Sequence, residues 1–176
     1  MVELREALKS TLYNRIIALR IGGNDLMGCL GVRRSPTMTL YQSPMSYVIP
    51  MLCGVMGQSF ALTAPVFEQM DNLVLLQEEL ELDIAYGLVG KTAIHPCQIR
   101  TIHNALQVSL DDYNAAQLIL GENVAAVFKH DGAMCEPATH WRWANNIIER
   151  ARWHGIRGRF PPQVARAPTL VEAADN

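Results

Sequence analysis

The sequence predicts an α/β fold of parallel strands joined by crossover helices. Short β-branched or aliphatic runs alternate with segments of helical period. Each run closes on a glycine or proline turn. The alternation recurs three times before the pattern turns purely helical.

The elements follow in order. Leu4, Ala7, Leu8 and Leu12 recur at helical spacing, so Val2 to Leu12 is a predicted helix. Arg15 to Ile21, centred on Ile16-Ile17-Ala18-Leu19, reads as a buried strand ending at Gly22-Gly23. Asp25 to Leu30 is a short helical turn closed by Gly31, and Val32 to Thr39 is a loop. Leu40 to Gly57 is apolar and Met-rich, a helix with Pro44 near its first turn and Pro50 kinking its middle. Ser59 to Val66 is a second strand, stopped at Pro65. Asp71 to Tyr86 carries Leu73, Leu76, Leu80 and Ile84 on one stripe, with Asp71 as N-cap and Gly87 at the C-terminus. Lys91 to Ile94 is a third strand, and Pro96 to Gln107 a helix opened by its proline.

Ser109 to Leu120 follows as a helix capped by Ser109. Val124 to Phe128 is extended and leads into a His130-Asp131-Gly132 turn, and a last helix spans about Pro137 to Trp153. Three prolines and little periodicity make residues 157–176 a predicted disordered tail. The expected organisation is therefore a βα region over 1–108, a helical extension or lid over 109–156, and that tail. A closed barrel of this kind needs eight strands in about 250 residues. Three strands alone leave edges unpaired, so the pattern predicts that further strands come from elsewhere.

Composition narrows the function classes. A net charge of −2 carries no basic field for nucleic acid or an anionic membrane. The most apolar stretch, Tyr47 to Val55, is broken by Pro50 and far short of the ~20 residues a membrane span needs. The charged N-terminus is no secretory signal. A cytoplasmic protein is expected, with Cys29, Cys53, Cys97 and Cys135 as buried small hydrophobes, since no pair has metal-site or redox spacing. Trp141 and Trp143 on the last helix read as packing or interface residues.

Reactive groups in parallel α/β folds sit at the C-terminal ends of strands. Gly22 and Gly23 let the backbone approach a ligand. Asp25 is either an oxygen ligand for a divalent ion or a cap on the helix that follows. Glu68 is a base, a ligand or a solvated loop charge. His95 contacts substrate or fixes the turn into its helix. By residue type Asp131 is an ordinary turn aspartate.

Three phrases, taken in order, resemble the citrate lyase β-subunit and HpcH/HpaI aldolase superfamily. They are Leu19-Arg20-Ile21-Gly22-Gly23-Asn24-Asp25-Leu26, then Gly90-Lys91-Thr92-Ala93-Ile94-His95-Pro96-Cys97-Gln98-Ile99, then Asp131-Gly132-Ala133-Met134-Cys135-Glu136-Pro137. The surroundings of the Met-rich helix look more like the divergent C–C bond lyase branch. The resemblance covers roughly residues 5 to 155. It implies a partial (β/α)₈ TIM barrel, holding the last three βα units plus a C-terminal helical extension, commonly in an oligomer.

It also implies roles. Asp25 matches the family's Mg²⁺ ligand. Gly23 and Asn24 match positions beside the substrate carboxylate, although many members carry Glu where Asn24 stands. His95 and Pro96 match the turn near the thioester arm, and Asp131 the lid aspartate that reaches a neighbouring subunit's site. The implied reaction splits a 3-hydroxy acid thioester, on coenzyme A or an acyl carrier, into an acetyl-type thioester and a keto acid. The family's second acidic ligand and its substrate arginine lie in the upstream half-barrel. The chain is thus expected to need a partner supplying that half, or else to act as a non-catalytic interaction module.

Overall fold

A computed structural model describes residues 1–158. The chain forms two compact units, the first Met1–Leu106 and the second beginning at Gln107.

The first unit opens with α1 (Val2–Leu12) and a 3₁₀ turn over Tyr13–Arg15. Strand β1 is only Leu19–Arg20, then α2 spans Gly23–Cys29. Leu19 pairs in parallel with Leu62, and Arg20 with Thr63, in β2 (Leu62–Thr63). The predicted first strand is therefore shorter than its apolar run. Nothing in the unit pairs with the other edge of β1, and Ile17, expected inside, is 94% exposed.

The predicted Met-rich helix is two elements. Thr39 and Gln42 make a reciprocal capping box around a 3₁₀ turn at Leu40–Gln42. Helix α3 then runs Met45–Met56, with Pro44 as N-cap and Pro50 inside it. Its buried Met45, Ile49 and Met56 pack with Ile21, Leu40 and Leu62 against β1 and β2.

The third strand is a correction. Ladder contacts with β2 come earlier than Lys91–Ile94: Val89 N donates to Leu62 O at 2.8 Å, and Ala64 N to Gly90 O at 2.8 Å. Pairing survives as one parallel bridge, Ala64 to Lys91. Beyond it the chain turns away, because the fully buried Gln98 accepts from Ile94 N at 3.0 Å and donates to Phe67 O at 2.7 Å.

Helix α4 spans Leu73–Ala85. Asn72, not Asp71, is its N-cap, accepting from Leu75 N at 3.0 Å. Gly87 closes it at φ +79°, a conformation that suits glycine. Helix α5 is Pro96–Leu106, and Ile102, Ala105 and Leu106 pack on Phe67, Leu76 and Leu80. Parallel strands, strand-end turns and covering helices make this unit a partial α/β barrel.

The second unit pairs α6 (Leu110–Ile119) with α7 (Pro137–His154) over Ala116, Ile119, Ala144 and Ile147. Ser109 caps α6 as expected, accepting from Asp112 N at 3.0 Å. Between the helices stands a hairpin, β3 (Phe128–His130) and β4 (Ala133–Cys135). Asp131 and Gly132 have φ +47° and +80°, the left-handed pair that an Asp-Gly hairpin turn requires. Trp141 is 60% exposed and Trp143 39%. The expected tail lies, from residue 159 on, outside the described residues. No helix among the described residues is long and apolar enough to cross a membrane.

Candidate functional site

The site begins where β1 ends. Gly22 has φ −81° and ψ 71°, and Gly23 N donates to Ile21 O at 3.0 Å. These angles describe an inverse γ-turn, a common strand ending. It swings the chain directly into α2, whose third residue is Asp25. A Cβ on Gly22 would stand 2.8 Å from Asp25 Oδ2, so the carboxylate folds back over Gly22. Asp25 is exposed.

Gly23 is buried for a packing reason. A Cβ there would meet Pro65 Cβ at 2.7 Å. Pro65 follows β2, so the two strand ends press together at this glycine. Asn24 adds a second tie across the same gap. Its Nδ2 donates to Glu68 Oε1 at 2.6 Å, while its Oδ1 is shielded and without a hydrogen-bond partner. Glu68, open as a base, a ligand or a solvated charge from its residue type, thus holds Asn24.

His95 and Pro96 occupy the turn after the third strand segment, and both are exposed. β2 lies between that segment and β1. All three run parallel, so Asp25 and His95 follow ends on the same side of the sheet. Two strand spacings put those ends about 10 Å apart. Asp131 stands exposed at the hairpin tip of the second unit, its Oδ2 3.4 Å from His130 Nε2.

A cavity of about 390 Å³ opens beside β1. Leu4 and Leu8 of α1, Leu52 and Met56 of α3, and Leu19, Ile21 and Leu62 give it an apolar lining. Arg20 and Asp25 are its charged members. Most of that lining is helix side chain, so only the Gly22–Asp25 corner belongs to the strand mouth.

Deeper in the unit lies a charge cluster that the sequence analysis passed over. Glu79 accepts from Arg34 at 2.6 and 3.2 Å, from Lys91 at 3.0 Å and from Leu40 N at 2.9 Å. Asp83 accepts from Lys91 at 2.7 Å and from the Tyr41 hydroxyl at 2.7 Å. Arg34 also donates to Val66 O at 2.8 Å and lies over the Phe67 ring. Tyr41 stacks on Tyr86 at 5.0 Å between ring centroids.

Two cations and two carboxylates balance. Burial pushes Glu79 up, but Lys91 and Arg34 outweigh it and hold Glu79 below its ordinary value. Burial wins at Asp83, which is raised despite Lys91. Burial and then Asp83 push the Tyr41 hydroxyl far above its usual range. The cluster braces the loop before α3 to α4 and the third strand. The sequence did hold a signal. Glu79 and Asp83 share the helical stripe of Leu76 and Leu80, so both had to be buried and paired.

The cysteines correct an expectation. Cys29 and Cys97 are exposed, and Cys53 and Cys135 are half-buried. The short α2 leaves Cys29 outside the core, and Cys97 sits in the first turn of α5.

Residues 1–156 match the C–C bond lyase family of the TIM-barrel fold. The chain belongs to that family. Among solved structures, protein CitE from Mycobacterium tuberculosis, in complex with magnesium, acetoacetate and coenzyme A, is similar in fold, with a TM-score of 0.60. The two share 22% sequence identity over 77% of this chain and 52% of that one. The chain therefore spans about half the length of that relative. No curated relative matches the sequence.

For a C–C bond lyase, the fit of a divalent ion can be judged from the donors themselves. Mg²⁺ takes hard oxygens, commonly one or two carboxylates with waters and substrate completing its shell. Asp25 offers an exposed carboxylate, while the neighbouring Asn24 Oδ1 is shielded from solvent. Among the described residues no group of three His, Cys, Asp or Glu side chains converges to hold a metal. Asp25 thus fits such an ion as a single carboxylate donor and no more.

Proposed function

We propose that this chain is the strand-six-to-eight part of a Mg²⁺-dependent carbon–carbon lyase. The substrate would be a 3-hydroxy acid thioester of coenzyme A or an acyl carrier, split into an acetyl-type thioester and a keto acid. The observation that carries this is Asp25, exposed at the mouth of a parallel strand in a chain that the C–C bond lyase family matches over residues 1–156. The CitE structure, which holds magnesium, acetoacetate and coenzyme A, supports the cofactor and the thioester class.

Bound Mg²⁺ would polarise the keto acid's carbonyl as a Lewis acid. Asp25 would hold one position of that ion. Asn24, kept in place by Glu68, would face the substrate carboxylate beside Gly23. The His95-Pro96 turn would border the thioester arm. Asp131, at an exposed hairpin tip, would act as the lid acid toward a neighbouring subunit's site. Water exclusion would need additional protein, because the strand mouth carries Asp25 in the open.

The remaining donors are proposed to come from an upstream half-barrel with a second acidic ligand and an arginine. The free edge of β1, with the apolar cavity beside it, supports such a partner. A non-catalytic interaction module is the competing reading, favoured by Trp141 and Trp153 at 60% and 65% exposure. Mg²⁺ titration by calorimetry and acetyl-CoA release from malyl- or citramalyl-CoA separate the two. This chain should bind Mg²⁺ weakly and turn over poorly alone. It should gain both properties when a half-barrel bearing the missing arginine and glutamate is co-expressed. Robust turnover by the chain alone overturns the need for a complement, and no gain on co-expression overturns the lyase reading.

A further inference from the structure

The turn that opens α5 brings a thiol and an imidazole together. His95 Nδ1 and Cys97 Sγ lie 3.0 Å apart, and both residues are exposed. Cys97 N donates to the same Nδ1 at 3.3 Å. A nitrogen that accepts a backbone N–H presents its lone pair, so the ring proton sits on Nε2. The thiol therefore faces the basic side of the ring. Cys97 Sγ also donates to Met70 O at 3.3 Å, so the thiol proton has two acceptors within reach, that carbonyl and the ring nitrogen. Cys97 is the second residue of α5, an 11-residue helix, where the aligned peptide dipoles favour negative charge.

The thiolate, not the thiol, is the nucleophilic form of cysteine. Cys97 has the geometry such chemistry uses: an exposed sulfur, a ring nitrogen at 3.0 Å to take the proton, and a place in the first turn of a helix. Cys29 makes the contrast within one molecule. It is also exposed, but it is the last residue of α2, where the dipole opposes an anion.

We propose that Cys97 and His95 form a nucleophilic dyad, a covalent modification site for small, uncharged, soft electrophiles. With iodoacetamide the step balances simply. The thiol proton passes to His95 Nδ1, and the sulfur attacks the methylene carbon. The S–C bond forms, the C–I bond breaks, and iodide leaves with the electron pair. Solvent then takes the proton from the ring.

This dyad is independent of whether the chain is a lyase. The test is iodoacetamide labelling of the full chain, read at each cysteine by peptide mass spectrometry. Cys97 should react about tenfold or more faster than Cys29. His95→Gln should bring Cys97 down to the rate of Cys29 while leaving Cys29 unchanged. Equal rates at Cys97 and Cys29 in the unaltered chain overturn the dyad, and that comparison requires no variant to fold. A Cys97 rate unmoved by His95→Gln overturns it as well.

Discussion

Lys91 and Glu79 meet at 3.0 Å with neither side chain accessible to solvent. Lys91 comes from the bridge that holds the third strand, and Glu79 from the inner face of α4. Arg34 closes on the same carboxylate from the loop before α3. Removing the carboxylate leaves buried Arg34 without an anionic partner and Lys91 with Asp83 alone, whereas removing one cation leaves the other on Glu79.

Glu79→Ala should therefore destabilise the fold by about 3–5 kcal/mol, the range for breaking a buried ion pair from one side. Arg34→Met should cost less, because Lys91 still answers Glu79. Urea unfolding followed by circular dichroism orders the two variants. Equal losses would show that the carboxylate is not the hub.

The same cluster sets an acid response. Glu79 is held below its ordinary value of 4.5, so its contribution is complete above that pH and fades as pH falls through the lowered value. Asp83 is raised above its ordinary 3.8, which works the other way. Its protonation on acidification relieves a burial cost, so stability rises as pH drops through the raised value. Glu79→Gln should flatten the acid loss below about pH 4.5, and Asp83→Asn should enlarge it. Urea midpoints between pH 6 and 3 test both signs.

The order of elements was legible because apolar periodicity and turn residues are local signals. Helix α1 falls where its leucines recur, and Ser109 and Gly87 punctuate as their chemistry requires. Strand lengths were not legible, since pairing depends on neighbours remote in sequence. Ile16 and Ile17 have high β propensity but no partner strand among the described residues, so β1 starts later. Gln98 shortens the third strand by claiming Ile94 N from the next helix, which no local pattern announces. At the candidate site, the glycine turn and Asp25 were visible as residue types. The Asn24–Glu68 tie spans 44 positions and emerges only once β1 and β2 lie side by side.

Gly23 offers a test of that strand-end contact. An alanine methyl would stand 2.7 Å from Pro65 Cβ and 3.1 Å from its Cγ, against a ring that cannot rotate away. Gly23→Ala should cost about 1–3 kcal/mol, as overpacking does. Gly28→Ala is the control, because a Cβ there meets nothing within 4 Å. Thermal unfolding of the two variants should separate them clearly. Matching midpoints would mean that the turn shifts to absorb the methyl.

Asp25→Asn decides whether the strand mouth is a metal corner. The carboxylate is exposed and folded over Gly22, so losing its charge leaves no buried group unpaired. Stability should change by no more than about 0.5 kcal/mol, the usual range for a surface substitution. Mg²⁺ affinity of the complemented chain should fall about tenfold or more, since ligand charge sets much of the binding. Glu68→Gln should leave Asp25 in place but weaken the tie to Asn24, so its metal affinity should fall less. A pure helix cap predicts the reverse for Asp25, with stability lost and metal binding unmoved. Calorimetric titration paired with urea unfolding on one preparation distinguishes the two roles.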